Sequence, residues 1–115
     1  MNINWNRMRI FIKPGATDMR KQINGLSIIV EDELNKDSLS GNLFLFCNRR
    51  KHIIKSIYWD KTGFCLWQKR LECDRFPWPE ETEEVLELSR QQLFMLLSGI
   101  DFFRKHKELH FKSVL

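Results

Sequence analysis

The side chains with chemical potential in this 115-residue chain are cationic before they are catalytic. Arg49, Arg50, Lys51 and Lys55 fall close together, and Lys69, Arg70 and Arg75 follow within GFCLWQKRLECDRFPWP at 63–79. Arg20 and Lys21 stand earlier in the chain. Several cations within mutual reach meet backbone phosphates, and arginine adds a fork that grips two oxygens. Tyr58, Trp59, Trp67 and Trp78 bring flat faces on which bases can stack. The plainer alternative is that wet loops carry charge and tryptophans fill a core. The chain has no base-reading motif of the usual nucleic-acid modules.

Other chemistry finds less support. Paired carboxylates hold Mg²⁺ in nucleases. Outside one glutamate-rich run the candidates are Asp18, Asp60, Glu72 and Asp74, and a helix cap and a turn account for the first two. No His or Lys stands at a spacing that completes a catalytic set. Cys47, His52, Cys65 and Cys73 match no zinc spacing, so neither metal nor cofactor is expected. His106 and His110 are four apart in a basic tail and read as solvated.

Charge distribution says more than the sum. The net charge is +4, yet residues 80–87, EETEEVLE, hold five glutamates. Without them 19 basic residues face 10 acidic ones, a balance of +9. A basic body suits a polyanion. The acidic run reads as an exposed linker or a docking segment. Three cysteines without C-x-x-C argue against a disulfide framework and for a reducing cytoplasm. There is no secretory leader and no apolar run long enough to cross a bilayer.

These residues need a scaffold. RMRIFIK at 7–13 alternates with period two and predicts a strand that Pro14-Gly15 ends. Met19, Ile23, Leu26, Val30 and Leu34 form one helical stripe, capped by Thr17 or Asp18, with Gly25 calling for a close packing contact. Leu43–Cys47, Ile53–Trp59 and Phe64–Leu71 predict three strands, the last two joined by a four-residue turn at 60–63. Phe44, Phe46, Phe64 and Leu66 are core candidates, while Trp78 between two prolines is expected in a surface groove. Ser89 and Gln92 form a capping box before a helix that buries Leu93, Leu96, Leu97 and Ile100. The predicted fold is α+β, of order β-α-β-β-β-α: a small antiparallel β-meander with two helices on one face. One domain spans 1–103, with a basic tail at 104–115.

The stretches TDMRKQINGL at 17–26, GNLFLFCNRRKHIIKSIYWDKTGFCLWQKRLECDRFPWP at 41–79 and LSRQQLFMLLSGID at 88–101 resemble the TnpB-type accessory proteins of the bacterial IS sixty-six insertion-sequence family. Together they cover most of the chain in order. The resemblance implies a non-catalytic role in transposition beside the transposase and a second accessory protein. It marks Asp18, Arg20, Lys21, Arg49, Arg50, Lys55, Trp59, Asp60, Lys69, Arg70, Arg75 and Trp78 as functional surface. The tail after Asp101 is longer than the family's usual ending.

Two functions follow as expectations. In one, Arg20, Lys21, the 49–55 loop and the Lys69–Arg75 strand end hold phosphates of transposon-end DNA, with Trp59 or Trp78 stacking. In the other, the protein is an adaptor that contacts the transposase through Trp78 and the acidic run. An exposed strand edge leaves room for a homo-oligomer.

Overall fold

A computed structural model of the chain describes residues 5–81 and 84–100. In chain order it has β1 (Ile10–Ala16), α1 (Ile23–Asp32), β2 (Leu43–Cys47), β3 (Ile53–Asp60), β4 (Gly63–Arg70), β5 (Leu86–Leu88) and α2 (Arg90–Leu97). The strands form one sheet in the order β4-β3-β2-β1-β5. The expected α+β class holds, and β2–β3–β4 is the expected antiparallel meander. β1 lies parallel to β2, so α1 is the crossover between them. β5 adds a strand, pairing antiparallel with β1.

The helices do not share a face, contrary to expectation. Ile10, Ile12, Leu43 and Leu45 pack with Leu93 and Leu96 of α2. The alternate residues Phe11, Phe44 and Phe46 pack with Leu26, Ile29 and Val30 of α1. Side chains of a strand point alternately to opposite faces, so a strand buried on both faces must be apolar throughout. LFLFC, with all five residues buried, meets that demand.

Several boundaries shift. β1 does not stop at Pro14-Gly15: its register slips between Ile12 and Ala16, and the strand resumes opposite Cys47. The irregularity absorbs the proline, which has no N–H to donate. Gly15 takes φ +79°, and a Cβ there would lie 2.6 Å from Cβ of Glu81. Only glycine fits that crossing. α1 begins at Ile23 with Gln22 as N-cap and no side-chain cap; Asp18 stands four residues before that position, its carboxylate engaged by Arg20. At Gly25 a Cβ would stand 3.1 Å from Cβ of Lys21, a tight approach that Lys21 would have to ease. Asp60 and Gly63 pair directly, leaving only Lys61-Thr62 as the turn, with Lys61 at φ +49°. Ser89 and Gln92 form the expected capping box. Ile100 lies beyond α2 and is 40% exposed, so it does not extend the buried stripe. The 104–115 tail lies outside the described residues.

Candidate nucleic-acid interface

The β2–β3 connection is a turn built by one side chain. Asn48 Oδ1 accepts from the backbone N–H of His52 and of Ile53, each at 3.0 Å, and its Nδ2 lies 3.1 Å from His52 Nδ1. The Lys51 N–H closes the turn onto the Asn48 carbonyl at 3.0 Å, with Lys51 at φ +62°. Asn is suited to such a position because its short amide bonds to nearby backbone. Arg49 and Arg50 are therefore the two central residues of a β-turn, and both are exposed.

That turn forms one wall of an open cleft of about 510 Å³. The opposite wall is the β1–α1 connector, Ala16 to Met19, and the cleft lies beyond the carboxyl ends of the parallel pair β1–β2. The Thr17 N–H anchors the connector to the Cys47 carbonyl at 2.8 Å. Thr17 is buried, and its hydroxyl oxygen has no hydrogen-bond partner among the described residues. Asp18, also in the cleft wall, pairs with Arg20 at 2.6 Å. The side-chain hydrogen bond from Arg20 holds the Asp18 carboxyl down to about 2, so the two charges offset each other.

The expected cations separate into two groups. Lys55 does not face solvent. It is 4% exposed, and its ammonium donates to the carbonyl oxygens of Met19 at 2.7 Å and Lys21 at 3.0 Å. Lys69 donates to the Leu97 carbonyl at 2.8 Å, satisfying the C-terminus of α2 on the other face of the sheet. Lys51 pairs with Glu80 at 3.2 Å, Arg70 with Glu72 at 3.0 Å. Arg49, Arg50, Arg75 and Lys21 are exposed, and among the described residues no ion pair engages them. Arg75 reaches the same end as the turn, since the next residue, Phe76, donates its N–H to the Lys51 carbonyl at 2.6 Å.

The aromatic expectations change more. Trp78 is 5% exposed, and its indole N–H donates to the carbonyls of Lys13 at 3.0 Å and Gly15 at 3.1 Å. Its flanking prolines stop strand pairing without exposing the ring, so it is no surface anchor. Trp59 packs edge-to-face on Phe64, centroids 5.1 Å apart. Trp59 and Asp60 lie at the far end of β3 from the arginine turn, roughly 20 Å along the strand. They cannot buttress a ligand held by Arg49 and Arg50.

The sequence reading missed a second surface. Phe94, 50% exposed on α2, meets Trp5 edge-to-face at 5.8 Å. Both border an apolar pocket of about 170 Å³ floored by Leu43, Leu45 and Tyr58. Its signal was Phe94 lying beside, not within, the Leu93–Leu96–Leu97 stripe. Among the described residues no group of three or more His, Cys, Asp or Glu is placed to hold a metal ion. None of their helices is long and apolar enough to cross a membrane.

A family model described as IS66 Orf2 like protein matches residues 8–107. The chain belongs to this family. An uncharacterized protein, y4hO, of Sinorhizobium fredii (strain NBRC 101917 / NGR234) is 41% identical over 95 residues, covering 83% of each chain. A second from that strain, y4jC, is 32% identical over 97 residues, covering 84% of this chain and 83% of its own. No solved structure matches. This IS66 Orf2-like protein is thus an insertion-sequence accessory protein. Its stapled Arg49–Arg50 turn falls inside the matched region.

Proposed function

We propose that this IS66 Orf2-like protein is a non-catalytic accessory factor of DNA transposition that holds nucleic-acid phosphate at the arginine end of its sheet, beside the transposase and a second accessory protein. One observation carries this reading. Arg49 and Arg50 project from a turn that Asn48 fixes, into a cleft, with no acidic partner among the described residues. A fixed, uncompensated pair of guanidiniums favours an anion, and its forks suit phosphate oxygens. Arg75 and Lys21 extend the charge, whereas Lys55, Lys69 and Trp78 serve the fold.

The test is fluorescence anisotropy with labelled transposon-end DNA across a salt series. Binding should weaken steeply with salt and show little sequence preference. Replacing Arg49 and Arg50 together by Ala should lower both affinity and salt slope. If both were unchanged, the turn would have no part in DNA binding.

Phe94 favours a second reading, a protein adaptor. Half exposed over an apolar pocket beside Trp5, it offers a side chain for the transposase to cover. A pull-down of transposase that survives Arg49→Ala/Arg50→Ala but fails with Phe94→Asp would favour the adaptor.

A further inference from the structure

The cleft favours a particular form of phosphate. A double-stranded backbone presents one charge per strand every 3.4 Å or so, and proteins match it with cations spread along a track. The β3–β4 hairpin supplies no such track. Lys55 is buried beneath the β1–α1 connector, Lys69 is turned to α2 on the opposite face, and Arg70 and Lys51 are paired with Glu72 and Glu80. Of the unpaired cations among the described residues only Arg49 and Arg50, adjacent in sequence, line the cleft; Lys21 and Arg75 are exposed outside its lining. Such a point-like site suits a ligand whose charge is equally concentrated.

The geometry points to a phosphomonoester as that ligand: the terminal phosphate of a nucleic-acid strand or of a nucleotide, in preference to the phosphodiesters within a strand. This rests on the phosphate-binding reading above and narrows it. A monoester carries close to two negative charges at neutral pH and three terminal oxygens, so two guanidinium forks can be filled at once. A diester offers one charge and two free oxygens. The open cleft, about 510 Å³, is of a size that admits a nucleotide and lies at the carboxyl ends of β1 and β2. Thr17 supplies the independent sign. It lines the cleft, is 7% exposed, and leaves its hydroxyl without a partner among the described residues. Buried hydroxyls are nearly always satisfied; because the oxygen itself is shielded from solvent, a bound oxyanion would reach it through an internal water or a small shift of the connector.

The experiment compares one internally labelled single-stranded oligonucleotide in three forms, with a 5′-phosphate, with a 3′-phosphate and with hydroxyls at both ends, by anisotropy on the full chain. A phosphorylated end should bind about tenfold tighter than the hydroxyl form. That preference should vanish in Arg49→Ala/Arg50→Ala and shrink in Thr17→Val, which keeps the side chain's shape and removes its hydroxyl. AMP as competitor separates the sources. If it displaces the phosphorylated strand at comparable concentration, the ligand is a nucleotide; if it does not, the ligand is a strand end. Equal affinity for all three forms overturns the monoester preference. The broader reading survives that result if the shared affinity still falls with salt and with removal of the two arginines. Absence of binding in every form ends both.

Discussion

The ammonium of Lys55 donates to the carbonyl oxygen of Met19 at 2.7 Å, across 36 positions of sequence. By gripping the Lys21 carbonyl as well, it fixes the connector that walls the arginine cleft. A cation placed by its neighbours in sequence among the phosphate ligands is in fact an internal brace.

Lys55→Met should therefore act on stability. It leaves two carbonyls without their charged donor, at a cost of about 2–4 kcal/mol. Urea unfolding should show a lower midpoint with an unchanged slope. A variant as stable as the parent would refute the brace.

Arg49→Ala/Arg50→Ala should behave in the opposite way. Both side chains are exposed, so stability should stay within about 0.5 kcal/mol. The slope of log affinity against log salt should fall by about 2, one unit for each arginine charge no longer placed on phosphate. Unfolding curves and salt titrations on the same preparations separate this variant from Lys55→Met.

Trp78→Phe should lower stability by about 1–2 kcal/mol through loss of one donor shared by two carbonyls. Trp78→Ala should cost about 3–5 kcal/mol, because a cavity is added. An unchanged melting temperature for the alanine variant would contradict the burial.

Burial pushes the Cys47 thiol up to about 12, while Cys73 is exposed. A thiol-specific reagent at neutral pH should label Cys73 promptly in the native protein and Cys47 only on unfolding. Mass spectrometry of the labelled peptides checks the order.

Tyr58 is the chain's single tyrosine, so its ionisation can be followed by ultraviolet absorbance without overlap from another. Burial first, then a hydrogen bond with Cys65, raises it to about 12 from 10.0. The neutral phenol is favoured in the folded state. Its contribution is intact below the unfolded value and is lost as pH climbs from 10.0 towards 12. Native protein should titrate later than protein in denaturant.

The meander was legible in the sequence because Leu43–Cys47 and the two aromatic-rich strands carry β-branched and aromatic residues between clear turn signals. The α2 cap was legible because Ser89 and Gln92 act locally. What escaped depended on distant partners. β5 is three residues, LEL, inside an acidic run, and it exists only because β1 offers an edge to Leu86 and Leu88. Arg9 pairs with its Glu87 at 2.6 Å. Trp78 looked exposed because prolines flank it, yet the carbonyls of Lys13 and Gly15, more than 60 positions away, receive its N–H. The arginine turn was visible as a basic loop, but not the assignment of its neighbours. Whether a lysine meets solvent or a carbonyl depends on which chain segment crosses above it.

Among the described residues, the first strand needs the last. Ile10 pairs with Leu88, and β1 stays open on that side until residues 86–88 have left the ribosome. The hairpins between β2 and β4 can zip as they emerge, whereas this closure spans most of the message and is correspondingly slow. A transcript truncated before Leu88 would yield a nascent sheet with β1 as a bare margin, inviting capture by chaperones or by its own siblings.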